Sequence, residues 1–379
     1  MKIDTRILAR KCPNQGRLFQ QFKEYIKGAI RHGFYKPGDP IESDRQFMAA
    51  GMLSYPTVSR AFRELAKEGW LVRKVGSGTF INAQLPVVKS RIKRLAVMYY
   101  RTDTPYYESI FRGVDSECRK HGITPARIAS SDFKGDEHDA VRYIIKNKMD
   151  GVLGLSTGSF ALMQDLVAIN SKGFPMVLLG MYFEQVPCDA VILDAEEYGR
   201  ESTRHLLELG HHRLLFVGSI PCYPFSMRHA DMLRGIRIQL AEAGMPLASL
   251  EELHLAAGFD ENDTRLHASV LRALRRDEKD CPTGILCESD GYARYLYSVF
   301  SKADIRIPDD VSVVGFGELT SVLKLKPQLT SAAWPMHKLG EHAVRLIVSQ
   351  SLNTKRSTMR IILEAPLHAR GSTGPAKLK

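Results

Sequence analysis

PGDPIESDRQFMAAGMLSYPTVSRAFRELAKEGWLVRKVGSGTFI, residues 37–81, carries two helix caps and a glycine-tipped hairpin in close succession. Ser43 with Gln46 three residues on has the spacing of a capping box and opens a helix that closes at Gly51. Ser54 caps the next helix, with Pro56 in its first turn, where a missing N–H costs nothing. Val58, Phe62 and Leu65 give that helix its apolar stripe, and Gly69 ends it. Leu71–Val75 and Thr79–Ile81 then flank Gly76-Ser77-Gly78, a hairpin with a flexible tip. Upstream, Leu18, Phe22, Ile26, Ala29 and Ile30 keep helical spacing to about Arg31, with Gly33 as the C-terminal cap. Helix, turn, helix and basic ribbon in this order make a winged helix-turn-helix, a device for placing one helix in a DNA groove.

The charge follows the same division. Residues 1–94 hold 19 Lys and Arg against 7 Asp and Glu, a net of +12. The other 285 residues hold 34 against 35, so the whole-chain +11 belongs to the first quarter. A basic module joined to a neutral remainder fits double-stranded DNA at one end better than a membrane surface. At 379 residues the chain has room for two or three domains. Its 44% apolar and 25% charged fractions are those of an ordinary globular protein. No apolar run has the length of a membrane span or a signal-peptide core. Six scattered cysteines without a C-x-x-C pair point to reduced thiols and a cytoplasmic location.

In the helix that starts at Ser54, the apolar stripe leaves Tyr55, Thr57, Ser59 and Arg60 for an outer face near the N-terminus, the part that reaches base edges. Arg60 suits a guanine, Tyr55 a base or phosphate, and Thr57 and Ser59 phosphate oxygens. Ser54, Gly76 and Ser77 complete the expected DNA-facing set, at the start of the helix and the tip of the wing. The runs P-G-D-x-I-x-S-x-R, S-x-x-T-V-x-R-A, L-x-x-E-G-W-L-V-R and G-S-G-T-F, over about residues 15–82, resemble the gluconate-repressor (GntR) winged-helix family. The resemblance implies DNA contacts from Arg45, Thr57 and Gly76. Tyr55-Pro56 and Ser59 depart from the family, in which Arg is common after the capping Ser and at position 59. S-Y-P-T-V-S-R is also similar to the recognition helix of the lactose-repressor family, although the wing argues against that subclass.

Residues 83–94, AQLPVVKSRIKR, lack a clear period and read as a linker between a DNA-binding domain at 1–82 and a second domain at 95–379. From Leu95 strand and helix alternate. The strand-like runs are Leu95–Tyr100, Gly151–Leu155, Met176–Leu179, Ala190–Leu193, Leu214–Val217, Gly284–Cys287 and Val311–Gly315. Helical patterns between them end at Gly122, Gly210 and Gly244. Alternation of this kind predicts an α/β fold of parallel sheets with helices on both faces, and its length predicts two lobes.

This half resembles the lactose-repressor and periplasmic sugar-binding-protein superfamily, through T-P-Y-Y-E-S-I-F-R-G-V (104–114), L-D-A-E-E-Y-G-R (193–200), H-L-L-E-L-G-H-H-R-L-L-F-V-G (205–218), I-P-D-D-V-S-V-V-G-F-G-E (307–318) and A-R-G-S (369–372). The resemblance implies a small-molecule effector, a sugar or related metabolite, in a cleft between two lobes, and a homodimer. Carried over residue by residue, it nominates Tyr106, Tyr107, Asp290 and Trp334 for the ligand. Two anchors depart from the pattern. Met232 stands where Arg is usual, with Arg228 one turn earlier as a replacement, and Gly317 stands where Asp is usual, with Glu318 next. Lost anchors argue against a simple monosaccharide, because a polyol needs its hydroxyls paired.

Other readings are weaker. Gly154-Leu155-Ser156-Thr157-Gly158 matches the hydrolase elbow, with Ser156 as nucleophile, but so short a match recurs by chance. His205, His211 and His212 lack a third ligand at metal spacing, and no motif calls for a metal or other cofactor. A solute-binding protein for uptake would not need the basic module. The expectation is a ligand-responsive, sequence-specific regulator of transcription that acts as a repressor and not as an enzyme.

Overall fold

A computed structural model of the chain describes residues 2–3, 15–31, 35, 37–49, 53–74, 76–84, 91–99, 105–133, 138–155, 160–180, 182, 188–219, 227–255, 264–274, 281–318, 322–350 and 358–377. The expected caps Gly33 and Gly51, residues 85–90 of the linker, and Ser156 lie outside these residues. The chain divides into two compact units: Met1–Ile192 with Met336–Leu363, and Leu193–Pro335 with Glu364–Lys379.

Unit one begins with the winged helix: α1 (Gln15–Arg31), α2 (Asp44–Ala49), α3 (Tyr55–Lys67), β2 (Leu71–Lys74) and β3 (Gly78–Ile81). Each helix sends one phenylalanine to a common centre. Phe22 of α1 lies 5.3 Å from Phe47 of α2 and 6.2 Å from Phe62 of α3, and Phe47 meets Phe62 edge-on at 5.7 Å. The capping box forms as read: Ser43 N donates to Gln46 Oε1 at 2.8 Å, and Gln46 N to Ser43 Oγ at 3.3 Å. The wing is not a lone hairpin. Ile81 N donates to Asp39 O and Ile41 N to Thr79 O, which lays the chain before α2 along β3 as a third edge.

The rest of unit one is a seven-stranded sheet in the order β1-β14-β8-β7-β6-β4-β5. It comprises β1 (Lys2–Ile3), β4 (Arg94–Tyr99), β5 (Thr124–Ala129), β6 (Gly151–Gly154), β7 (Met176–Leu179), β8 (Asp189–Leu193, whose last residue opens unit two) and β14 (Arg360–Leu363). Its helices are α4 (Pro105–His121), α5 (His138–Lys146), α6 (Phe160–Ser171) and α11 (Met336–Gln350). Unit two holds a six-stranded sheet in the order β10-β9-β11-β12-β13-β15. Its strands are β9 (Leu214–Ser219), β10 (Leu250–Leu255), β11 (Gly284–Cys287), β12 (Ser312–Gly317), β13 (Thr330–Ala333) and β15 (Leu367–His368). Its helices are α7 (Ala195–Glu208), α8 (Met227–Glu242), α9 (Thr264–Leu274) and α10 (Asp290–Lys302). The pairs β4–β5, β4–β6, β6–β7, β7–β8, β9–β10, β9–β11, β11–β12 and β12–β13 are all parallel. Val152, Leu153, Val177, Leu178, Leu215, Phe216, Ile285 and Leu286 are fully buried, as strands covered on both faces require.

Both units use the same close helix crossing. A Cβ on Gly113 of α4 would lie 2.0 Å from His337 O of α11, and one on Gly340 would lie 2.3 Å from Ile110 O. In unit two a Cβ on Gly199 of α7 would lie 2.3 Å from Met232 O of α8, and one on Gly235 would lie 2.0 Å from Glu196 O. Only glycine lets these backbones meet. Met232 is therefore a fully buried residue of a helix crossing.

Beside the first crossing, burial pushes the His342 imidazole down to about 4, with the Arg345 charge adding to the effect. Its Nδ1 has no hydrogen-bond partner among the described residues. An unfolded histidine titrates near 6.5, so the unfolded chain takes up the proton first as pH falls. Unit one is expected to lose on the order of 3 kcal/mol between about pH 6.5 and pH 4 from this residue. Denaturant titrations across that range should show the slope in the parent and a flatter one in His342→Leu. Parallel profiles would assign the slope to another group.

Candidate DNA-binding face and effector site

The DNA-binding face follows from how α3 is seated. Thr57, Val58, Ala61, Phe62 and Leu65 are buried, Tyr55, Pro56 and Arg60 are exposed, and Ser59 is half-buried. Thr57, expected on the outer face, falls on the line Thr57-Ala61-Leu65 and lies inward, its hydroxyl 2.9 Å from Ser54 Oγ. Ser54 holds the N-cap position without a side-chain bond to the helix N–H groups. Arg60 carries a side chain 64% exposed, its Nε 3.6 Å from Glu64 Oε1 and its guanidinium 4.4 Å from the Phe19 ring centroid. The ring positions the guanidinium through cation–π attraction without removing it from solvent.

Glu64 of α3 and Glu68 at its C-cap also pair with lysines of α1. Lys23 Nζ lies 3.1 Å from Glu64 and 2.6 Å from Glu68, and Lys27 Nζ lies 2.7 Å from Glu68. Arg45, Arg73 and Lys74 are exposed. At the wing tip Ser77 N donates to Lys74 O, and Gly76 takes a φ of 75°, in the left-handed region that favours glycine. No atom lies within 4 Å of a Cβ built on Gly76, so conformation and not crowding demands glycine there. Gly76 and Ser77 are both exposed.

Unit two gathers a polar cluster at the carboxyl ends of β9 and β11, where open α/β sheets bind ligands. Its centre is Glu288, next after β11 and 4% exposed. Oε2 accepts from Ser219 N at 2.6 Å, Ser219 Oγ at 2.7 Å and His229 Nδ1 at 3.2 Å, and Oε1 accepts from Arg228 Nη2 at 3.2 Å. Burial pushes this carboxyl up, but the His229, Arg228 and Ser219 donors outweigh it and hold it below the usual carboxylate range. A Cβ on Gly218 would lie 2.8 Å from Glu288 Oε2 and 2.8 Å from the Phe216 ring, so glycine is needed before Ser219.

Arg228 spans from Glu288 to Trp334, its guanidinium 5.5 Å from that ring centroid. Trp334 meets Phe316 edge-on at 4.9 Å, and Phe316 stacks on Tyr198 at 4.2 Å. Tyr198 Oη donates to Cys287 O and Gly315 O, which fixes this aromatic row on the ends of β11 and β12.

The structure therefore brings Arg228 and Trp334 together and adds Glu288, His229 and Ser219, which sequence reasoning missed. Glu288 stands directly after the β11 run, whereas the family resemblance nominates Asp290 two residues on. Asp290 is fully buried, and its Oδ1 accepts from Ser331 Oγ at 2.7 Å. Glu318 belongs to a separate knot with Arg370 and His368, and its N–H donates to the same Ser331 Oγ. Tyr107, in unit one, is largely buried between Tyr99 and Phe111 at 5.3 and 6.0 Å. Tyr106 lies in the first turn of α4, and its side chain is outside the described residues. No group of three or more metal-ligating side chains occurs among the described residues. No helix among them is long and apolar enough to cross a membrane.

Residues 18–81 match the gntR family of bacterial regulatory proteins, and residues 203–373 match the periplasmic binding protein-like domain. The arabinose metabolism transcriptional repressor of Halalkalibacterium halodurans is 28% identical over 369 residues, covering 94% of this chain and 96% of its own length. The HTH-type transcriptional repressor PurR of Photobacterium profundum is 24% identical over 258 residues, covering 68% of this chain and 74% of its own. Among solved structures, a LacI family regulator from Enterococcus faecium with bound ribose has a TM-score of 0.62 at 21% identity, over 75% of this chain and 100% of that one. A complex of the regulator CelR with cellobiose has a TM-score of 0.62 at 22% identity, over 86% and 94%. These structures share the fold of the α/β units. The chain thus joins a segment that matches the gntR family of bacterial regulatory proteins to a segment that matches the periplasmic binding protein-like domain, and the relatives it resembles are transcriptional repressors.

Proposed function

We propose that this protein is a ligand-responsive repressor. Residues 1–82 bind double-stranded operator DNA, residues 83–94 connect, and residues 95–379 bind a small-molecule effector and form a homodimer in the cytoplasm. The observation that carries this reading is the union in one chain of a basic winged helix with a sensor-type α/β domain. Arabinose, ribose and cellobiose in the names of its relatives and structural neighbours support a sugar or related metabolite as effector. The Arg228–Glu288 cluster supplies polar groups one helical turn from the departed anchor at Met232, so a polyol regains hydrogen-bonding partners. Effector binding shifts the population toward conformers with a different operator affinity, and by linkage the operator changes effector affinity by the same factor.

Gel-shift titrations against its own upstream region and a random duplex test the reading. Log K should fall with log salt by ~0.9 per phosphate neutralised. Arg45→Ala should lower that slope by about 1 and weaken both duplexes alike. Arg60→Ala should cost ~1–3 kcal/mol on the specific duplex and little on the random one. A complex insensitive to salt, or an Arg60→Ala protein as selective as the parent, would remove the assignment of α3 as the reading helix.

A further inference from the structure

The Glu288 cluster contains one buried ring nitrogen without a hydrogen-bond partner among the described residues. His229, in the first turn of α8, is 9% exposed. Its Nδ1 faces Glu288 Oε2 at 3.2 Å, and its ring packs edge-on against Phe216 at 5.2 Å and near His254 at 5.4 Å. In the neutral ring, a carboxylate on Nδ1 places the proton there and leaves Nε2 an acceptor. That Nε2 is buried and has no hydrogen-bond partner among the described residues. Buried polar atoms are almost always paired, and no described residue supplies a donor to this one, so it suits a donor from a bound ligand. The neighbouring residue supplies the complement. Arg228 gives one Nη2 bond to Glu288, its side chain is 30% exposed, and its guanidinium has further N–H donors.

From these groups we infer that His229 Nε2 and Arg228 form a hydroxyl-reading pair for a neutral, polyhydroxylated effector. One ligand hydroxyl donates to Nε2, and an oxygen of the ligand accepts from the guanidinium. Neutrality follows from the charges, because Arg228 is already balanced by Glu288. An anionic ligand would meet that carboxylate, and a cationic one the guanidinium. The pair accounts for how a polyol is held although Met232 is locked in the α7–α8 crossing.

The inference rests on unit two being the effector domain, and its test separates the two. Calorimetric titration of the full chain with L-arabinose, D-ribose and cellobiose is set beside titration with citrate and adenine. His229→Asn keeps a donor near the Nδ1 position for Glu288 but deletes the acceptor. His229→Gln returns a carbonyl oxygen near the Nε2 position. The parent should bind at least one of the three polyols. His229→Asn should bind it at least ~tenfold more weakly and His229→Gln within ~threefold, with ligand-free melting temperatures within about 3 °C of the parent. The inference is overturned if His229→Asn binds like the parent, if both variants weaken equally, if no polyol binds at roughly 10 mM, or if citrate or adenine binds instead. A gel shift of the upstream region in the same samples tells the two apart. Operator binding without polyol binding overturns only this inference, and loss of operator binding in the parent overturns the repressor reading itself.

Discussion

Phe62→Ala is expected to abolish operator binding while leaving the effector site in working order. Phe62 is fully buried and is the one ring of α3 that meets both Phe22 of α1 and Phe47 of α2. Truncating a buried phenylalanine costs about 3–5 kcal/mol, the transfer free energy of the ring plus the cavity it leaves. Small domains stand near the bottom of the usual 5–15 kcal/mol range of stability, so the loss consumes most of what holds the three helices in register. Without that register α3 and the wing cannot meet one groove together. A drop of more than ~100-fold in operator affinity should follow, equivalent to ~2.8 kcal/mol. None of Ser219, Arg228, His229, Glu288 and Trp334 lies in the winged helix, so polyol titration should be unchanged within error. Phe62→Leu, which keeps most of the volume, should recover much of the binding. If Phe62→Ala shifted the operator within threefold of the parent, the three-ring centre would not be what orients α3.

The difference between these two sites is also the difference between what the sequence discloses and what it withholds. The winged helix is built from local signals. The Ser43–Gln46 box, Pro56 at the start of α3, Gly69 at its end with a φ of 79°, and the Gly76 turn are each set by neighbours a few residues away. The central strands β4, β6, β7, β8, β9, β11 and β12 are legible for a second reason: burial on both faces makes them apolar runs, whereas β13, TSAA, lies inside its sheet without that signature. The edge strands escape. β5 reads TPARIA and β10 reads LEELHL, and only the last two residues of β5 and the last one of β10 are buried. Partial exposure on an edge removes the apolar signature. Thr57 is a different case, because its spacing of four from Ala61 and eight from Leu65 placed it on the buried line and its polarity obscured that. Glu288 could not be found locally. Its partners Ser219, Arg228 and His229 stand 69, 60 and 59 residues away, brought to it by the register of β9 beside β11 and the return of α8.

Glu288→Ala should show what that long-range assembly contributes. The substitution leaves Arg228 without its carboxylate and the Ser219 and His229 donors without an acceptor in a buried place. Removing one partner of a buried ion pair typically costs 3–5 kcal/mol, and because the Arg228 side chain keeps 30% exposure the cost here falls at or below the lower end, about 3 kcal/mol or less. Unit two should therefore unfold at lower denaturant, and effector response should fall by at least ~tenfold, since Arg228 loses its orientation as well as its partner. Acid separates this effect from simple loss of packing. In the folded unit the Glu288 carboxyl lies below the ordinary range, whereas an unfolded glutamate titrates near ~4.3. As pH falls, the unfolded chain takes up the proton first, so the stability that Glu288 provides is complete above about pH 5 and lost progressively below it. The sign is shared with His342, but that loss spans about pH 6.5 to 4 and belongs to unit one. Acid should thus weaken unit one first and unit two later. In Glu288→Gln, which keeps the shape and removes the charge, unit two should lose its own acid slope while that of unit one persists. Denaturant midpoints of the two transitions, followed from pH 7 to pH 3, measure both slopes, and a Glu288→Gln protein whose second transition kept the parent's acid dependence would refute the assignment of that charge to the folded unit.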